Sequence, residues 1–327
     1  MNKKLLLDLF RLPSRSHHES LVQEYIIEYL RDNDILFKKD KKGNIFNISR
    51  KNIPILSAHM DTVQDSIDVK LTNFIKIRGD VLSGYGVIGG DDKCGIYIIL
   101  EMLKSKQVNF VFSTCEEAGG LGMQYFVESN NLSNIPYGIV LDRRGGSDIL
   151  CSKNDYGVSE FETMLESIGE VFKYESALGM WSDEDILSEK ISCANLSVGY
   201  YNPHEKTEFV RLDELENAKD FTWAIIKNIN EKFKAPNKTI TVYGRHGYCR
   251  EELEGYDDYF SGWTCELCGS IDYYNTSYIQ IIEKNICEDC LRELHLEIHG
   301  AEETEEELNN TEEIEDLALL EDYSDNK

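Results

Sequence analysis

The stretch "STCEEAGGLG" (Ser113 to Gly122) sets two glutamates side by side, after an apolar run and before a glycine cluster. Neighbours on a strand point to opposite faces, so paired carboxylates ending a buried strand serve solvation or chemistry. Other polar residues fall at the same kind of place. His59 and Asp61 end "ILSAHMDTV"; Asp91 and Asp92 follow a glycine-rich turn in "GYGVIGGDDKCG". Asp142 ends "IVLDRR", and His204 follows a strand in "YYNPHEKTEF". Two imidazoles with several carboxylates form an oxygen and nitrogen donor set that suits zinc, with manganese or cobalt as substitutes.

The elements between them must bring these residues together. Apolar periodicity predicts helices over the opening residues, 19–33, 95–106, "GMQYFVESN" and 212–233. Strands are expected in "GNIFNIS", at 53–63, 108–116 and 137–144, around 147–165, and at 191–200, with a hairpin over 67–82. The apolar run "VNFVFSTCE" suits a strand buried on both faces. Strands alternating with helices imply an α/β fold with a mostly parallel central sheet flanked by helices. In such sheets ligands gather at the carboxyl ends of the strands, so residues 59 to 204 can converge.

The ordered set "HMD" (59–61), "GGDDKCG" (89–95), "EEAGGLG" (116–122), Asp142 and "PHEKTE" (203–208) resembles the co-catalytic di-zinc exopeptidases. That superfamily includes tripeptidase T, bacterial leucyl aminopeptidases and related zinc carboxypeptidases. The opening "LPSRSHHESLVQEYIIEYL" and "KKGNI" resemble its N-terminal segment, so the likeness spans about residues 5–233. It implies that His59 and Asp142 hold one zinc, Glu117 and His204 the other, and Asp91 bridges both. Asp61 would steady the His59 imidazole, and a cis peptide would join Asp91 to Asp92. Glu116 would be general base toward a water between the metals, then general acid toward the leaving amine. The implied activity is hydrolysis of a peptide amide bond, by an aminopeptidase or dipeptidase. A deacylase or carboxypeptidase on the same metal core, or an adaptor with a vestigial site, are the alternatives. Short peptides or N-acyl amino acids are the expected substrates.

Many relatives insert a lid domain between the last Asp ligand and the last His. Here 62 positions separate Asp142 from His204, so the chain resembles the form without a lid. "GMWSDEDIL" (179–187) resembles the loop before the last strand, which would place Ser182 and Asp183 near substrate. Arg143 or Arg144 could clamp a carboxylate, since Arg binds carboxylates bidentately.

Beyond "KAPNK" the pattern changes. The expected organisation is a catalytic domain over 1–237, a connector over 238–261, a zinc module over 262–299 and an acidic, disordered tail over 300–327. "CELC" (Cys265, Cys268) and "CEDC" (Cys287, Cys290) enclose eighteen residues, a spacing suited to one structural zinc closed by four thiolates. Protein docking or self-association is the expected role of this ribbon-like module, and the total becomes three zincs per chain.

Composition narrows the partners. The formal net charge is −26, and residues 300–327 hold twelve acidic residues against one lysine. Such a surface repels nucleic acid and anionic membranes. No run approaches the roughly 18 apolar residues of a membrane span. Nine cysteines, five of them scattered, fit a reducing cytoplasm rather than a disulfide framework.

Overall fold

A computed structural model describes residues 1–65, 70–105, 108–151, 159–177 and 181–235, and the backbone of four short strands beyond. The chain divides into two units, Met1–Glu252 and Leu253–Lys327.

The first unit is built on an eight-stranded sheet. Its strands are β1 (Lys38–Lys39), β2 (Ile45–Asn47), β3 (Ile55–His59), β6 (Asn109–Ser113), β7 (Gly138–Arg143), β8 (Asp148–Cys151), β9 (Glu175–Ser176) and β10 (Cys193–Ser197). They lie in the order β1-β2-β6-β3-β7-β10-β8-β9. The central neighbours β6, β3, β7 and β10 run parallel, while β2 on β6 and β8 on β10 are antiparallel. The expected α/β fold with a largely parallel centre is present. A second sheet joins β4 (Lys76–Arg78), β5 (Val81–Ser83), β11 (Tyr200–Tyr201) and β12 (Phe209–Arg211) in the order β11-β12-β5-β4.

Alternation explains the continuous apolar runs. Leu56, Phe110, Phe112, Ile139, Leu141 and Ala194 enter one core with α1 (Lys3–Phe10), α2 (Ser20–Asp32), α3 (Gly90–Leu103), α5 (Glu160–Gly169) and α7 (Leu212–Asn228). Ile55, Val111, Val140 and Cys193 enter another, against α4 (Leu121–Ser129) and α6 (Asp183–Leu187). Both faces of the sheet are covered, so apolar residues follow one another along the central strands instead of alternating with exposed polar ones.

Three expected elements differ. Residues 147–165 are not all strand: β8 stops at Cys151, and Glu160–Gly169 is helical. Ser159 starts that helix by accepting the Glu162 amide, and Phe161 and Leu165, four residues apart, bury on one face. The hairpin shrinks to β4 and β5, with a 3-10 turn at Thr72–Phe74 ahead of it. Residues 183–187, expected as loop, form a helix whose capping box joins Ser182 and Asp185.

In the second unit, Trp263–Thr264 pairs antiparallel with Ile271–Asp272, and Tyr278–Ile281 with Lys284–Cys287. Cys265, Cys268 and Cys290, the 237/238 boundary and the acidic tail lie outside the described residues. The expected connector and zinc module lie largely outside them as well, only the four short strands being described. Among the described residues no helix is long and apolar enough to cross a membrane.

Candidate metal centre

His59, Glu116, Glu117 and Asp142 arise where strands end at the carboxyl edge of the sheet, Asp91 opens α3 and His204 lies on the β11–β12 loop. His59 is the last residue of β3 and is 2 % exposed. Its Nε2 lies 2.9 Å from Asp91 Oδ1 and 3.6 Å from Asp142 Oδ1. Its Nδ1 lies 3.4 Å from Asp61 Oδ1 but makes no aligned hydrogen bond. Asp142 comes from the end of β7, where the buried Tyr200 hydroxyl donates to Oδ1 at 3.2 Å. Asp91 and Asp92 open α3 with non-helical angles, joined by the expected cis peptide. Asp92 turns inward, accepting the His59 amide at 3.1 Å and the Gly95 amide at 2.9 Å.

Strand β6 ends at Ser113, and Cys115 adopts a left-handed φ of 54°. That break lets Glu116 and Glu117 reach one site instead of opposite faces. Donor atoms of His59, Glu116 and Glu117 lie within 4.8 Å of one another. Asp61 fixes the break from below, its carboxylate accepting the Glu116 amide at 2.9 Å, the Glu117 amide at 3.2 Å and the Ser16 hydroxyl at 2.7 Å. On the far side His204, on the β11–β12 loop, places Nε2 2.8 Å from Glu117 Oε1 and 3.3 Å from Asp91 Oδ2.

Two further donor groups satisfy the same spacing: His59, Asp91 and Asp142, and Asp91, Glu117 and His204. Asp91 belongs to both, one oxygen toward each imidazole. The five expected ligands therefore meet, although residues 59 and 204 are far apart in sequence.

The electrostatics of the cluster call for cations. Burial would depress the His59 imidazole, but Asp142, Asp61 and Asp91 outweigh it and hold it well above its usual value. Burial likewise lowers His204, yet Asp91 and Glu117 bring it to about 10. Burial, reinforced by the Asp91 charge, pushes Asp142 up to about 8. Glu116 is raised well above the carboxylate range by burial, with Asp142, Glu117 and Asp183 adding and His59 opposing. Protonated histidines and protonated acids are what such a cluster adopts when only its own side chains neutralise it. Divalent ions would reverse both. The donor types, the shared Asp91 and the buried, unbonded Nδ1 beside Asp61 fit two ions, with Asp61 behind the His59 ligand.

The two expected substrate residues, Arg143 and Asp183, are both engaged by other side chains. Arg143 closes its guanidinium on Asp148, with Nε at 3.1 Å and a terminal nitrogen at 3.0 Å from Oδ2. Arg143 is thus paired with Asp148 in this structure, while Arg144 is exposed. Asp183 is 1 % exposed and accepts the Ser113 hydroxyl at 2.5 Å, so it lies beneath the strand end rather than on an open surface. Burial raises its carboxyl to about 6.

Sequence reasoning assigned no role to Tyr200 or Glu208. Glu208 is 2 % exposed and accepts the amides of Ile88 and Gly89 at 2.8 Å each and of Asp91 at 3.2 Å. Its place in "PHEKTE", four residues after a ligand candidate, was the available signal.

Residues 44–187 match peptidase family M28. The expected kinship with the co-catalytic zinc exopeptidases is borne out by that match, and the family is zinc-dependent. A probable carboxypeptidase of Paracoccidioides lutzii is 32 % identical over 160 residues, 40 % of this chain and 36 % of its own. One of Aspergillus flavus is 28 % identical over 146 residues, 37 % of this chain and 34 % of its own. The chain thus spans about a third of the length of these relatives. The TET1 peptidase of Pyrococcus horikoshii superposes with a TM-score of 0.55 at 17 % identity, over 69 % of this chain and 99 % of that one. A tripeptidase of Staphylococcus aureus gives 0.56 at 14 %, over 69 % and 97 %. At these identities the structural likeness establishes the fold.

Proposed function

We propose that the chain is a two-metal hydrolase of peptide amide bonds, an aminopeptidase or dipeptidase acting on short peptides. One observation carries the reading: the two oxygens of Asp91 face His59 and His204, each beside a further carboxylate, Asp142 or Glu117. In it His59, Asp91 and Asp142 would hold one zinc and Asp91, Glu117 and His204 the other, with manganese or cobalt as substitutes. Ions bound there supply Lewis-acid polarisation of the scissile carbonyl and lower the pKa of water. Glu116 takes a proton from the attacking water and returns it to the leaving amine. Asp61 holds the Glu116 backbone in place and backs the His59 ring.

The names of the curated relatives support a second reading, a carboxypeptidase. Against it stands Arg143, whose fork is taken by Asp148. A panel of free, N-blocked and C-amidated dipeptides, run on the zinc-loaded chain with Glu116→Gln as control, separates the two. Cleavage of C-amidated but not N-blocked peptides supports an aminopeptidase, and the converse a carboxypeptidase. No hydrolysis of any member by a chain holding two zincs would sink the reading in favour of a binding protein.

The four cysteines of "CELC" and "CEDC" complete the proposal as a structural zinc site that mediates docking or self-association. A cytoplasmic setting is part of the same proposal, supported by cysteines that are scattered along the sequence rather than laid out as a disulfide framework.

A further inference from the structure

We propose that Glu208 is a positioning residue that sets the spacing between Asp91 and His204, and so governs the affinity of one metal half-site selectively. The inference rests on the two-metal reading above. Glu208 uses both carboxylate oxygens on the turn that delivers Asp91: Oε2 accepts from Ile88 and Gly89, and Oε1 from Asp91 itself. Carboxylates satisfied by several backbone amides fix a loop firmly. The same residue closes the loop that carries His204. The Glu205 amide donates to Asn202, the Glu208 amide to Glu205 at 3.0 Å, and the Asn202 side chain to Thr207. Asn202 and His204 both hold left-handed φ angles, 53° and 65°, which the loop must impose.

The strands close the bracket. β11 pairs with β12, and β12 pairs with β5, which runs into the turn before Asp91. The His204 loop and the Asp91 turn therefore leave one small sheet, and Glu208 joins them across its open end. The other half-site has its own anchors. Asp92 binds the His59 amide, Asp61 backs the His59 ring, and Tyr200 donates to Asp142. Lys93 Nζ holds the Leu12 carbonyl at 2.7 Å and the Ile88 carbonyl at 3.5 Å, so the turn has a second support when Glu208 is altered.

Glu208→Gln is the direct test. Its amide oxygen can still accept from Ile88 and Gly89, while its NH2 opposes the Asp91 amide. The full-length chain is titrated calorimetrically with manganese, which thiolate sites bind poorly. The wild type shows two binding events, and His204→Ala identifies which one uses the His204 half-site. Glu208→Gln weakens that event about 10- to 100-fold, as loss of a ligand's supporting contact does. The other event stays within about threefold, and the double variant is no weaker than His204→Ala alone, because both act on one interaction. Equal weakening of both events, no change in either, or additive losses in the double variant would overturn the assignment. Fewer than two events in the wild type would instead sink the two-metal reading. Should Glu208→Gln lose its cooperative melt, Glu208→Asp, which keeps the charge but shortens the reach, is read by the same criteria.

Discussion

Asp61 grips Glu116 through the backbone: the Glu116 amide donates to Asp61 Oδ1 at 2.9 Å, across 55 positions of sequence. The same carboxylate accepts the Glu117 amide and lies beside His59 Nδ1. A single side chain therefore aims a proposed base, one ligand of each half-site and the break that ends β6.

Removing that grip should be felt in metal and rate together. Asp61→Ala is expected to lower zinc affinity about 10- to 100-fold, the usual cost of losing a ligand's orienting partner. The measurement is zinc retained against a graded chelator, beside kcat. Loss of turnover with affinity unchanged would mean that Asp61 acts on Glu116 alone.

Glu116→Gln separates base from ligand. Turnover should fall about 10²- to 10⁴-fold, the range for removing a general acid–base group. Zinc content should stay at the wild-type level, since each half-site has its ligands without Glu116. A near-normal rate, measured at saturating peptide, contradicts the assigned role.

Tyr200→Phe removes the hydroxyl that donates to Asp142. A hydrogen bond to a charged group is worth roughly 1.5–3 kcal/mol, so affinity at the His59 half-site should drop about tenfold or more. Competition with a chromophoric chelator reads it. An unchanged affinity would show that Asp142 is held by the Asn195 contacts to its backbone alone.

Gly95→Ala tests packing rather than chemistry. A Cβ there would clash with the Leu141 carbonyl oxygen and stand 2.6 Å from Asp92 Oδ1. Overpacking of this kind costs about 1–3 kcal/mol, so the metal-free chain should melt at lower temperature. An unshifted melt would mean that α3 has room to move off β7.

Cys265→Ser addresses the proposed structural zinc. Metal analysis should fall by one ion per chain while peptide hydrolysis persists. Loss of the catalytic ions as well would show the two units to be coupled.

Much of this was legible in the sequence because the information is local and repetitive. Runs such as "NFVFS" mark a buried strand, and a polar residue at its end marks the sheet edge. The ligand candidates stand out by type and place, and the resemblance supplies their roles. What escaped were contacts that depend on the path of distant backbone. Nothing in "DRRGGSD" announces that Arg143 will turn to Asp148. Asp183 read as a loop residue because the capping box of Ser182 and Asp185 spans a helix of only one turn. Tyr200 and Glu208 act through an amide turn and a carboxylate supplied by other segments, and their residue types gave no sign of it. The strand expected around 147–165 failed for a simpler reason. Phe161 and Leu165 fit either period, and the Ser159 cap decides between them.

The two imidazoles differ in one respect with a practical consequence: the His59 side chain is 1 % exposed and that of His204 is 42 %. Solvent reaches the His204 side of the cluster far more readily than the His59 side. On the proposed two-metal reading the outer ion should exchange quickly and leave first, so preparations purified in mild sequestrant would be half-charged, and adding back the missing equivalent would restore them.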